Sequence, residues 1–141
     1  MIAMKIQYAL IADSAEIVNG KLYLMGGGWD HFSARELPVQ LRLAVAVGIR
    51  IEWDETNIAH PLDIFIEDDD GKELARVNGS MQVGRPSNLP QGGTQLSQMA
   101  VTLPLRVDAW GGYRVRISAG EGPGSQGTIL PFRVAQKTGT S

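Results

Sequence analysis

Leu41-Arg42-Leu43-Ala44-Val45-Ala46-Val47-Gly48-Ile49-Arg50-Ile51 places a large aliphatic residue at every odd position and Arg, Ala or Gly at every even one. A period of two belongs to a β-strand, whose successive side chains face opposite sides of a sheet. The run predicts a strand with one face in a core and the other lightly covered or wet. The alternation returns along most of the chain, and no long helical period interrupts it.

Working outward, Lys5 to Ala12 reads as a first strand with Ile6, Tyr8 and Leu10 on one face. A signal peptide fits less well, because Gln7 breaks the apolar run and Asp13-Ser14-Ala15-Glu16 follows it. Asn19-Gly20 is a two-residue hairpin signal leading into a strand over Lys21 to Gly26. Gly26-Gly27-Gly28 marks a bulge or a close backbone approach. Trp29 to Pro38 is expected to be a loop with one helical turn around Ser33 to Leu37.

Beyond the long strand, Leu62 to Glu67 and Glu73 to Val83 form a hairpin about Asp69-Asp70-Gly71-Lys72. Leu74 is out of phase, which predicts a bulge there. Leu96 to Val107 alternates through Met99, Val101, Leu103 and Leu105. Pro104 cannot donate to a ladder, so this strand should lie at an edge or bend. Tyr113 to Ala119 and Thr128 to Ala135 are the last two strands, with Leu130, Phe132 and Val134 inward. The fold class is therefore all-β, with little or no helix: a two-layer antiparallel β-sandwich of about eight strands, immunoglobulin-like, jelly-roll or C2-like. One domain is expected over residues 1–136, with a flexible tail at 137–141.

The chain has 141 residues, 43% of them hydrophobic and 20% charged, enough for a real core. A net charge of -2 argues against nucleic acid, which calls for a basic surface. No run approaches the ~20 apolar residues of a membrane span. The absence of cysteine excludes disulfides, thiolate nucleophiles and cysteine-bound metals, and leans towards a soluble, cytoplasmic protein.

Several local patterns occur together: Ala9-Leu10-Ile11-Ala12-Asp13, Asn19-Gly20-Lys21-Leu22, Gly26-Gly27-Gly28-Trp29, Asp70-Gly71-Lys72, Gly84-Arg85-Pro86, Gly112-Tyr113 and Leu130-Pro131-Phe132-Arg133-Val134. In this order and spacing the chain resembles, over about residues 6–135, a family of short bacterial proteins, many actinobacterial, known only as a domain of unknown function. The resemblance implies a bacterial origin and a stand-alone β-rich domain. It carries over no functional residue.

Chemical motifs are sparse. Gly26-Gly27-Gly28 lacks the helix that a phosphate loop needs after it. Asp68-Asp69-Asp70-Gly71 reads as a turn before it reads as a calcium loop. His31 and His60, the two histidines, lie in different loops, and no spacing supplies three or four metal ligands. No nucleophile elbow selects a catalytic serine. No catalytic, metal or cofactor site is expected, and the chain reads as a non-enzyme. Arg42, Arg50, Arg114 and Arg116 sit on outward strand faces, where pairing with acids such as Asp63 and Glu67 is preferred to a basic strip.

Strict reversal of successive strands would gather the loops at 13–20, 52–61, 84–95 and 120–127 at one end, with Trp29, Asp69 and Trp110 at the other. The gathered end would carry Trp53, Asp54, His60, Arg85, Asn88 and Glu121, the candidate binding surface. The leading expectation is a protein-interaction or assembly module, with a protein partner or self-association through open strand edges into a homo-oligomer. The alternative is a small-ligand binder that holds a sugar or nucleotide on a loop-borne aromatic.

Overall fold

The computed structural model describes residues 4–120 and 126–138. Among these residues nine strands follow one another: β1 (Lys5–Val18), β2 (Lys21–Gly27), β3 (His31–Ala34), β4 (Val39–Ile51), β5 (His60–Asp68), β6 (Glu73–Met81), β7 (Gln95–Val107), β8 (Gly111–Ala119) and β9 (Gln126–Gln136). They form a four-stranded sheet in the order β2-β1-β4-β7 and a five-stranded sheet in the order β3-β9-β8-β5-β6. All pairings are antiparallel except β3 with β9, which is parallel. Among the described residues the one helical element is a single 3₁₀ turn, Trp53–Glu55, and no described helix is long and apolar enough to cross a membrane.

The core lies between the sheets and takes the odd-numbered aliphatics of β4 together with Leu62, Ile64 and Ile66 of β5, Val115 and Ile117 of β8, and Phe132 and Val134 of β9. Pro104 lies on an edge strand, since β7 pairs with β4 on one side only. The bulge expected at Leu74 is present: Ile66 faces Ala75, Glu67 faces Glu73, and Leu74 is the extra residue between them. Asn19 and Gly20 take φ of 52° and 74°, as a two-residue hairpin turn with both residues left-handed requires. The Asp68–Lys72 turn is closed by its own side chain, with Asp68 Oδ1 accepting from the Asp70 and Lys72 amides at 2.9 and 2.8 Å.

Three expectations need correction. Trp29 to Pro38 contains no helical turn at Ser33–Leu37; it contains β3, which alternates exposed and covered residues and is fixed by its partner 102 positions later, His31 facing Arg133. The first strand does not keep Ile6, Tyr8 and Leu10 on one face. Its register shifts between Ile6 and Tyr8, so Gln7 is bulged out, and Arg50 Nε and Nη2 hold its side-chain oxygen at 3.0 and 2.6 Å. Ile6, Ala9 and Ile11 therefore face inward with Ile49, Val47 and Val45, and Tyr8, Leu10 and Ala12 face outward with Gly48, Ala46 and Ala44.

The outer face of β4 is not wet. Every residue from Leu43 to Ile49 is buried, including Ala44, Ala46 and Gly48. The β1–β2 hairpin explains this. Beyond Ala12 β1 leaves β4 and pairs only with β2. The hairpin tip returns to β7, two strands from β1 in the sheet, where Gln98 Nε2 donates to the Gly20 carbonyl at 2.7 Å. To reach it the hairpin must lie across the outer face of β4, over the alanines. Small residues at 44, 46 and 48 make that close approach possible. At Gly48 the Tyr8 ring occupies the space a Cβ would need, and its hydroxyl donates to Gln98 Oε1 at 2.5 Å. Burial pushes the Tyr8 phenol above its ordinary value.

Glycine inside a strand is ordinarily a weakness that alanine repairs. Here the sign should reverse: Gly48→Ala is expected to cost about 1–3 kcal/mol by overpacking against Tyr8. In a Tyr8→Ala background the same substitution should cost much less. Urea denaturation of the four proteins measures the coupling, and equal costs in both backgrounds would refute the close approach.

Candidate functional site

The sequence nominates the end of the sandwich that carries the 52–59 and 82–94 connections, and the structure joins these two loops. Asn57 donates its amide to the Val83 carbonyl at 2.7 Å. Arg85 Nε donates to Thr56 Oγ1 at 2.6 Å and its Nη2 to the Trp53 carbonyl at 2.9 Å, with the guanidinium 4.0 Å above the Trp53 ring centroid. His60 Nε2 donates to the Glu55 carbonyl at 2.7 Å. Trp53, His60 and Arg85 are thus brought together, as a clasp in which the Arg85 guanidinium and the His60 ring bond to neighbouring loop groups. Asp54 is exposed on the 3₁₀ turn and Asn88 is exposed on the second loop, and neither hydrogen-bonds through its side chain to another described residue of the set. Glu121 lies outside the described residues. The Gly120 amide, which opens the 120–127 loop, donates to Pro61 and so places that loop's start at this end.

The 13–20 segment does not join them as expected. It belongs to the hairpin whose tip contacts Gln98. The extra strand β3 adds one chain reversal, so β1 runs antiparallel to β4 instead of parallel to it.

The opposite end holds the more open geometry. After β2 the chain crosses from one sheet to the other: the Gly28 amide donates to Ile11 on β1 at 2.8 Å, and the Asp30 carbonyl accepts from the Arg133 amide on β9 at 2.9 Å. The crossing carries Trp29, whose ring meets Phe132 edge-on at 6.2 Å, and Phe132 in turn stacks on Tyr113 at 5.6 Å. Two adjoining clefts flank this segment. One, of 320 Å³, is bordered by Asp30, His31, Asp69, Gly112 and Arg133 over Phe132 and Tyr113. The other, of 260 Å³, is apolar, with Leu10, Ile11, Trp29 and Leu130 among its walls, and it shares Asp30 and Pro131 with the first.

The side chains of Asp30, Asp69 and Arg133 are exposed, and none makes a side-chain hydrogen bond to another described residue. Asp69 lies against β8 because Gly112 has no Cβ; a methyl group there would run into its carboxylate. Tyr113 is buried beneath them, its hydroxyl donating to Ala109 at 2.6 Å, and burial holds its phenol above the ordinary value. Trp29 Nε1 is buried and has no partner among the described residues. Of this set, the sequence singles out His31 only as one of two histidines that lack the spacing of a metal site. Among the described residues no group of three His, Asp or Glu could hold a metal ion. Asp30 and His31 come beside Arg133 through the parallel pairing of β3 with β9, and Asp69 joins them by lying against Gly112 of β8, neither of which local alternation can reveal.

The four arginines expected on outward strand faces form no common strip: Arg42 and Arg50 lie on the four-stranded sheet, Arg114 and Arg116 on the five-stranded one. Arg114 and Arg116 share Glu67 at 2.7 and 3.3 Å, and Arg116 and Arg76 both lie over the Phe65 ring, at 4.3 and 4.9 Å. Glu67 is 6% exposed, covered by these side chains rather than by depth in the core.

The chain belongs to the family of unknown function DUF6941, whose profile matches residues 7–135. No curated protein matches it in sequence. Among solved structures it is similar to the C-terminal domain of wzt, with a TM-score of 0.44 and 15% identity over 98% of this chain and 77% of that one. It is similar also to the structural-genomics target SoR45, with a TM-score of 0.33 and 17% identity over 94% and 86% of the two chains.

The hydrogen bond from Arg114 holds the Glu67 carboxyl below the usual carboxylate range; partial desolvation opposes this and Arg116 adds to it. A carboxyl whose value is lowered on folding stabilises fully above the unfolded value of about 4.3, and that stabilisation is lost as pH falls through the lower folded value. Glu67→Gln should therefore destabilise the protein near pH 7, with the difference from wild type shrinking towards about pH 3. Urea midpoints at the two pH values check this; a difference independent of pH would contradict it.

Proposed function

We propose that this member of the family works by binding, and that its ligand is a small, neutral, hydroxyl-rich molecule, a saccharide unit in the simplest case, seated between the Trp29–His31 crossing and β9. The observation that carries the reading is the ring of Asp30, Asp69 and Arg133 around the 320 Å³ cleft, with no side-chain hydrogen bond from any of them to a described residue. Two carboxylates accept and one guanidinium donates, and a hydroxyl group can serve both. Pro131 and Trp29 add apolar surface beside these groups, the combination of apolar wall and few polar groups that small-molecule sites use.

Charge favours the sugar over the nucleotide. A phosphate would face two carboxylates with one guanidinium and a histidine to offset them. The exposure of Asp30, His31 and Asp69 suits recognition better than acid–base chemistry, which works best where water is excluded. An assembly role is favoured by a separate feature, the free edge of β7.

A panel of neutral mono- and oligosaccharides, titrated against tryptophan emission and ligand-observed NMR, tests the reading. Binding should quench Trp29, so Trp29→Phe should lose the optical response while Trp53→Phe and Trp110→Phe keep it. Asp69→Ala or Arg133→Ala should weaken binding about tenfold or more, as for a lost hydrogen bond to a charged group. Tighter binding of sugar phosphates than of their neutral parents would contradict it, as would silence of the whole panel by NMR.

A further inference from the structure

The two sheets expose four edge strands: β2 and β7 on one, β3 and β6 on the other. Open edges are templates for another strand, and folded proteins blunt them with short length, charge, proline or glycine. Three of the four are blunted here. β3 has four residues. β2 ends in Gly26-Gly27 and begins with Lys21. β6 carries the exposed Glu73–Arg76 ion pair at 2.7 Å. β7 differs: it has 13 residues, and from Gln95 to Leu105 it bears no charged side chain. Its one device is Pro104, near the far end. Gln95 to Leu103 remains an unbroken stretch on which no described strand pairs opposite β4.

We infer that β7 pairs with β7 of a second copy of this chain, antiparallel about a two-fold axis near Met99, so that two four-stranded sheets become one of eight. A second copy is the partner that this sequence suits. Two-fold pairing sets a strand against its own reverse, and the lack of charge means no like charges meet across the axis. An axis at Met99 pairs Gln95–Leu103 with itself and leaves Pro104, which has no N–H, beyond the ladder. Ser97 then faces Val101, and Gln98 faces Ala100. Leu96, 37% exposed in the single chain, faces the exposed Thr102 of the second copy.

That last pairing makes the register testable with the full chain. Sedimentation equilibrium of the wild type is expected to give twice the chain mass of 15.2 kDa. Leu96→Lys with Thr102→Lys opposes lysines twice across the axis and should weaken the dimer about tenfold or more. Leu96→Lys with Thr102→Glu opposes unlike charges and should restore it. Circular dichroism verifies that both variants keep the β fold, which their exposed positions allow. A monomeric wild type overturns the inference, as does a Lys/Lys variant that dimerises unchanged. Weakening by Lys/Lys without rescue by Lys/Glu overturns the register. A dimer lost instead on Tyr23→Lys with Met25→Lys moves the interface to the hairpin's exposed face and overturns the β7 assignment.

Discussion

Burial of β4 on both faces is the constraint on which the four-stranded sheet depends. Its inner face feeds the core with Leu43, Val45, Val47 and Ile49, each worth about 1.5–3 kcal/mol when buried. Its outer face must then carry Ala44, Ala46 and Gly48, because a hairpin lies close against it. The same requirement fixes the bulge at Gln7, which turns Tyr8 outward over Gly48, and it fixes Gln98 on β7 as the anchor of the hairpin tip. Against these terms the exposed ion pairs are minor, since such pairs contribute about 0–1 kcal/mol.

Much of the fold was legible because burial and alternation speak the same language. The inward faces of β5, β8 and β9, the bulge at Leu74, the Asn19-Gly20 turn and the edge position of Pro104 all follow from local pattern. What escaped depends on partners distant in sequence. The alternating Ala-Ala-Gly face of β4 looks the same whether water or a hairpin covers it. His31 to Ala34 becomes a strand only beside β9, and missing it reverses the direction assigned to β1. The Gln7 bulge is invisible in a strand apolar on both sides.

The same physics explains the site. Trp53, His60 and Arg85 do meet, because the 52–59 and 82–94 connections both cross between the sheets at one end and bond to each other there. Aromatic, guanidinium and carbonyl groups so placed satisfy one another, and the result is a clasp. At the other end the β2–β3 connection also crosses between sheets, and clefts remain on either side of it. Trp29 wedges there with an indole N–H that finds no described partner, and Asp30, Asp69 and Arg133 border the adjoining cleft. Such a buried, unmatched donor costs about 1–3 kcal/mol.

Hydrogen exchange of the backbone amides, resolved by residue, measures the central constraint directly. With both faces of β4 covered, the amides of Ala44 to Gly48 should exchange only through global unfolding, and more slowly than those of the edge strand β6. Exchange of the Ala44–Gly48 amides at the rate of the β6 edge would mean that the hairpin does not hold the outer face closed, and the account of the fold would be wrong.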